Sequence, residues 1–259
     1  MSRISGVRGR RVWDSRGHPT VEVEVELEDG TKGRAIAPAG ASRGAREAVD
    51  LRDNNERLRG RDVQSALKAI EALIAPAVRG AEATDQADVD RRILGVDESP
   101  LKETVGGNSA VATSLAVLHA AAAHEGLPLW RYVSETFGRM ASIPLPEIQI
   151  FGGGAHAGRR VDIQDFMVMV PGASSFDEVM EVTSEIYFAA GDIMESRGRR
   201  AGVADEGGWW PDFDSNEAAL ETLVAAIEKA GEKPGERVVI SLDVAASEFG
   251  KNGRYRLAL

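Results

Sequence analysis

Four short stretches of the chain carry side chains that could move protons or hold a metal ion. Asp205-Glu206 pairs two carboxylates with no basic residue alongside and runs into Gly207-Gly208. Asp243 follows the apolar run Val238–Leu242, His156 follows the glycines 152–154, and Gln164-Asp165 lead into the apolar run Phe166–Val170. Each falls where a strand is expected to meet a loop, and in parallel α/β folds the carboxyl ends of strands are where sites are assembled. The glycines permit close backbone approach by a ligand. Plainer readings stand beside these. An Asp after a strand can be a helix cap, Asp-Glu-Gly-Gly can be only a turn, and three glycines do not make the phosphate loop GxxxxGK[ST].

The combination tips the balance. The chain contains no cysteine, which removes thiolate nucleophiles, Cys-ligated zinc, iron–sulfur clusters and disulfides together. No Ser-His pairing motif stands out either. Hard-cation carboxylate chemistry therefore outweighs nucleophilic catalysis, and Mg²⁺ is the ion such donors suggest.

Positioning these groups falls to two unlike halves of the chain. Val21–Glu28 alternates apolar and acidic residues, a half-buried strand with valines inward and glutamates outward. Asp29-Gly30 supplies a hairpin turn, Gly33–Ala37 a return strand, and Pro38–Gly44 a small-residue loop that reads on composition as a flexible connector. Helices are expected from about Ala45 to Leu58, from Asp62 to about Val78, and from Asn108 to His124, the last with Asn108 as N-cap. His119 and His124 lie in the C-terminal half of that helix, where a cation suits the dipole, and read as structural. Ile143-Pro144-Leu145-Pro146 reads as a linker, which divides the chain into domains 1–140 and 141–259.

Beyond the linker the pattern changes. Ile148–Phe151 is a short strand, and Phe166–Val170 is apolar throughout, as expected of a strand covered on both faces. Ser175–Arg197 is an amphipathic helix opened by the capping box Ser175-Phe176-Asp177-Glu178, and Ser215–Ala230 is a second helix stopped by Gly231. Val238–Leu242 reads as another buried strand. This alternation predicts a parallel α/β barrel or a doubly wound sheet.

Composition narrows the function classes. The 259 residues carry 31 Lys+Arg against 41 Asp+Glu, a net charge of −10, so no basic field exists to collect nucleic-acid phosphates. Hydrophobic content of 43% with 28% charged residues is that of a globular protein rather than a disordered one. No run of 18 apolar residues occurs and the first residues lack an apolar signal core, so no membrane partner is expected and a cytoplasmic protein is the default.

At this point the residues carry a resemblance. Asp14-Ser15-Arg16-Gly17-His18-Pro19-Thr20-Val21-Glu22-Val23 resembles the DSRGNPTVEV opening of the enolase family, and Pro38-Ala39-Gly40-Ala41-Ser42 its mobile PSGAS loop. Gly106-Gly107-Asn108 with Ser114-Leu115-Ala116 resembles its GxNAxxxxSLA helix. Gly153–Ala157 and Asp162–Met167 are similar to GGAHA and DIQEFM, while Asp205–Gly208 and Leu242–Phe249 match DEGG and LDVAASEF. These motifs follow family order across almost the whole chain.

The resemblance implies an α/β and α+β protein, with an N-terminal α+β lid domain followed by an enolase-type TIM barrel that starts ββαα and is incomplete in this chain. It implies Asp243 as a carboxylate ligand of Mg²⁺, Ser42 as a group reaching a second Mg²⁺ when its loop closes, and Glu206 as the general acid. His156, Gln164 and Asp165 would line the substrate pocket. The activity implied is Mg²⁺-dependent dehydration of 2-phosphoglycerate, or a close analogue, to an enol phosphate. Two divalent cations suit the enolate-like intermediate, and a protonated carboxyl converts the leaving hydroxide into water. The partners implied are a small anionic phosphorylated or phosphonate substrate and, from the habit of the family, a second copy of the chain in a homodimer.

The match has departures. Asp165 stands where the family has Glu, which retracts the carboxylate on the order of 1.5 Å, and displacements of that size can cost about a hundredfold in rate. Ala39 replaces Ser, Arg43 replaces Thr, Phe151 precedes the glycines where Asn is usual, and Trp209-Trp210 follow DEGG in place of a smaller pair. Their clustering favours altered substrate recognition. An enolase paralogue of secondary metabolism, similar to carboxyphosphonoenolpyruvate synthase, is therefore a second reading, and a catalytically dead enolase-like binding protein a third. Residues 143–259 also fall short of the roughly 250 residues typical of a complete barrel. The family's lysine base, phosphate-binding Arg and remaining metal carboxylates are expected beyond residue 259, and the 259 residues alone are expected to be inactive.

Overall fold

A computed structural model describes residues 2–259. The chain forms two compact units, one made of the chain up to Gly40 with Arg46–Ser142, the other of Ala41–Ala45 with Ile143–Leu259.

The first unit is built on an antiparallel meander of β1 (Ile4–Trp13), β2 (Pro19–Leu27) and β3 (Lys32–Ala37). β2 behaves as its alternation predicts: Val21, Val23, Val25 and Leu27 are buried. Sequence pattern missed β1, whose Ile-Ser-Gly-Val-Arg-Gly-Arg-Arg run has no clean apolar period. Its register explains it, because Arg8 and Arg10 stand opposite Glu24 and Glu22, and cross-strand ion pairs can stand in for apolar alternation on a solvated face.

The helices cover the other face of the meander. Gln64–Ala69 (α1) runs through a π-turn, Ile70–Ile74, into Ala75–Val78 (α2). The wider turn sits just before Pro76, which has no N–H to give to the helix. Gln86–Val96 (α3) and Leu129–Thr136 (α5) were not legible in the sequence. Gly107–His124 (α4) packs on β2 and β3. A Cβ on Gly33 would come within 2.1 Å of the Ala120 backbone nitrogen, so only glycine allows β3 and α4 to approach this closely.

Two expectations fail in this unit. No helix spans 45–58; apart from a 3₁₀ turn at Arg57–Gly60, the segment is irregular. Its backbone is bonded at long range: Val49 N donates to Leu101 O at 2.7 Å, Gly107 N to Val49 O at 2.7 Å, and Asp53 N to Asp62 O at 2.9 Å. Tertiary hydrogen bonds thus replace the local ladder. Asn108 is not the N-cap of α4 either. Gly106 holds that place at φ 79°, and the Asn108 amide instead bonds Leu51, accepting from its N at 3.1 Å and donating to its O at 3.2 Å.

The second unit contains β4 (Ile148–Gly152), β5 (Asp165–Met169), α6 (Phe176–Ser196), α7 (Asn216–Lys229) and β6 (Val239–Asp243). This is the ββαα opening, with the strands in the order β4-β5-β6. The parallel sheet expected from alternation is corrected: β5 runs antiparallel to both neighbours. The link from β4 to β5 holds only a 3₁₀ turn, whereas parallel neighbours are usually joined by a helical crossover. Ser175 and Ser215 cap α6 and α7 by accepting from Glu178 N and Ala218 N, both at 3.1 Å. β6 is half-exposed rather than buried, with Leu242 38% accessible. Among the described residues no helix is long and apolar enough to cross a membrane.

Candidate active site

The antiparallel strand assembles the site. Because β5 runs against its neighbours, its first residue lies at the same end of the sheet as the last residues of β4 and β6. Gly152 pairs with Asp165, and Asp165 pairs with Asp243. Gln164 and Asp165, which precede an apolar run in the sequence, thus meet Asp243, which follows one.

His156 reaches this end from a 3₁₀ turn, Gly154–Ala157. Gly153 N donates to Gln164 O at 2.6 Å and Gly154 N to Val161 O at 3.1 Å. A Cβ on Gly153 would meet Ile163 O at 2.2 Å, and one on Gly152 would meet the Ala204 Cβ at 2.4 Å. Gly152 and Gly153 therefore admit the protein's own chain. Asn216 and Asp162 lock the returning loop: the Asn216 Oδ1 accepts from Asp162 N at 2.9 Å, and its Nδ2 donates to Asp162 Oδ2 at 2.9 Å. Burial pushes the Asp162 carboxyl up, but hydrogen bonds from Ala258 N, Asn216 and Leu259 N together hold it below its ordinary range.

Asp205-Glu206-Gly207-Gly208 is a turn, as its plainer reading has it, closed by Ala204 N to Gly208 O at 2.8 Å and Gly207 N to Ala204 O at 3.0 Å. It also presents Glu206. Trp209 moors the turn: its N donates to Ile150 O at 2.8 Å, its indole N–H to Tyr187 O at 2.9 Å, and its ring stacks on Tyr187 at 4.7 Å. Gly191 of α6 clears the space, since a Cβ there would lie 2.6 Å from the indole. Trp209 is thus an anchor packed on α6 behind the turn that presents Glu206.

The side chains form one network. His156 Nε2 faces Glu206 Oε1 at 3.5 Å, with the imidazole buried and the carboxylate exposed. Gln164 Nε2 donates to Asp243 Oδ2 at 3.0 Å and lies 3.5 Å from Asp165 Oδ2. Asp243 Oδ1 also accepts from Ala245 N at 3.0 Å. His156, Asp165 and Glu206 each offer one ligand atom within 4.8 Å of the others. Ser42, in the loop Ala41–Ala45, is half-buried.

Sequence reasoning missed the residue that ties this network together. The Gln149 amide nitrogen donates to Asp165 Oδ1 and, at 3.3 Å, to Glu206 Oε2. Its Oε1 accepts from Gly208 N at 2.9 Å. The signal was present as one polar side chain inside the strand Ile148-Gln149-Ile150-Phe151. In a period-2 strand that position faces opposite to the buried Ile150.

Two family models match the chain. Residues 4–133 match that of the enolase N-terminal domain, and residues 140–259 that of the enolase C-terminal TIM barrel domain.

Proposed function

Since the chain belongs to the enolase family, with both matches together spanning nearly all of it, we propose that it is a Mg²⁺-dependent lyase dehydrating 2-phosphoglycerate or a close analogue to an enol phosphate. The observation that carries this reading is the meeting of Glu206, His156, Gln164, Asp165 and Asp243 at one end of one sheet. In this reading Glu206, at the exposed edge of the cluster, is the general acid that gives a proton to the departing hydroxyl, which then leaves as water.

The donor set fits Mg²⁺. Asp243 supplies a hard carboxylate oxygen, and Gln164 Oε1 is a buried carbonyl oxygen with no hydrogen-bond partner. Asp243, with Ser42 reaching in from its loop, would hold the ions. Bound there, Mg²⁺ would neutralise the charge that builds on a substrate carboxylate when the neighbouring carbon loses its proton. Gln164 orients Asp243 by its 3.0 Å hydrogen bond, Glu206 carries the proton for the leaving group, and His156 lines the pocket behind it.

The test is turnover of 2-phosphoglycerate by the intact protein, followed through the ultraviolet absorbance of the conjugated product. Mg²⁺-dependent product formation, reduced on the order of 10²–10⁴-fold by Glu206→Gln, is the expected result. Asp165, a shorter acid than the family's Glu, favours the phosphonate-type analogue as second substrate class. Turnover of a phosphonate analogue alone would establish that reading. No turnover of either by a folded protein would leave the binding-protein reading standing.

A further inference from the structure

We propose that Arg159 and Arg160 are positioning residues: through ion pairs to two different loops they hold the turn that presents His156 to the substrate. The inference deepens the lyase reading and rests on it for the role given to His156.

His156 has little of its own to fix its ring. The imidazole is buried, 8% accessible, yet Nδ1 has no hydrogen-bond partner among the described residues. Nε2 lies 3.5 Å from Glu206 Oε1, long for a charge-assisted hydrogen bond. A histidine at a working site is usually oriented by a bond to its second ring nitrogen. Without one, the ring goes where packing and the backbone of Gly154–Ala157 take it.

That backbone is closed by a strained pair of residues. Gly158 and Arg159 are both left-handed, at φ 60° and 58°. Glycine takes this region freely, whereas an arginine takes it only where its surroundings impose it. Arg159 N donates to Gly154 O at 2.7 Å and Arg160 N to Ala157 O at 3.2 Å, which folds the chain back on the turn.

The two side chains then part. Arg159 Nη2 donates to Glu248 Oε2 at 2.6 Å, in the loop after β6. Arg160 Nη2 donates to Asp212 Oδ1 at 2.7 Å, in the segment that follows Trp209-Trp210. The Glu248 side chain is only 20% accessible, so solvent and salt screen its pair less than a fully exposed one. Trp210 backs the same turn, since a Cβ on Gly158 would stand 3.7 Å from the indole Cη2. The loop carrying His156 is thereby tied to the loop that begins at Asp243 and to the loop that presents Glu206. A single exposed ion pair is weak, but two on neighbouring residues restrain one turn, and their effects on its opening compound.

The test removes the partner charges, because Glu248→Gln and Asp212→Asn leave the residues of the turn unaltered. Hydrogen exchange is read in the ligand-free protein on the peptic fragment covering 153–161. Each substitution is expected to raise exchange there about 1.5–5-fold, and the two together about 2–30-fold, with the amides of α6 unchanged. Asp212→Asn should add nothing once Arg160→Gln is present, since that pair is then already gone. With 2-phosphoglycerate or its analogue and Mg²⁺, the double variant should show KM raised within the same range of about 2–30-fold and kcat within about twofold of the parent, because saturating substrate draws the turn back. Unchanged exchange at 153–161 in the double variant, a further effect of Asp212→Asn beside Arg160→Gln, or an unchanged KM would each overturn the proposal. Exchange needs no substrate, so a protein that shows the exchange response but turns nothing over would sink the lyase reading alone.

Discussion

Asp165 stands directly opposite Asp243 across the β5–β6 ladder, which puts two carboxylates on one face of the sheet. Like charges in that position destabilise a pair of strands by roughly 0.2–1 kcal/mol. Gln164 relieves part of this by donating to Asp243 at 3.0 Å and facing Asp165 at 3.5 Å. An arrangement that costs stability at the mouth of a site is typical of residues kept for function. Asp165→Asn is therefore expected to raise the thermal midpoint of the metal-free protein by about 0.5–4 °C, while lowering turnover. An unchanged or lower midpoint in calorimetry would show that the opposed carboxylates carry no strain.

Gly208 separates activity from stability. A Cβ there would lie 2.5 Å from Gln149 Oε1, the far end of a flexible side chain. Gly208→Ala therefore displaces the amide rather than the fold. The expected outcome is a stability change within about 1 kcal/mol, with turnover down about a hundredfold because two carboxylates lose their orientation. Gly33→Ala gives the contrast. Its Cβ would meet the Ala120 nitrogen at 2.1 Å and Ala116 O at 2.3 Å, both backbone atoms that cannot step aside. Overpacking of that kind costs on the order of 3 kcal/mol. A denaturant midpoint that falls far more for Gly33→Ala than for Gly208→Ala checks both statements.

These cases also show what the amino-acid pattern could and could not reveal. β2, α6 and α7 were legible because alternation or three-and-four spacing coincided with a cap and a single buried face. β1 was not, since its arginines find partners on β2 instead of following an apolar period. The strap at 45–58 read as helix because nothing local announces that Val49 and Leu51 will bond Leu101 and Asn108. At the site, the titratable residues could be named from their types and motifs. Gln149 is neither titratable nor in a motif that drew attention, and its role exists only once the turn at Gly208 comes back to β4. The strand directions mattered most: a parallel sheet would have put Asp165 at the opposite end from Asp243.

Asp97 gives a pH dependence independent of the site. It is buried, and its Oδ2 accepts from Thr104 N at 2.7 Å and Val105 N at 3.2 Å, while Oδ1 accepts from Ser99 N at 3.0 Å. The Ser99 side chain lowers its carboxyl most; burial pushes the other way, and the backbone donors Thr104, Ser99 and Val105 help bring it down to about 2. A carboxyl whose folded pKa lies below its unfolded value of about 3.9 binds protons more readily in the unfolded chain. Its stabilisation is thus complete above pH 5 and is lost as the pH falls from about 4 towards about 2. Asp97→Asn keeps the shape but removes the charge and gives an amide donor where only acceptors serve, at a cost of about 1–3 kcal/mol near neutral pH. Thermal melts between pH 7 and pH 2.5 should therefore show the two proteins converging as the acid range is entered. Parallel curves across that range would mean that the Asp97 loop stabilises the fold without its charge.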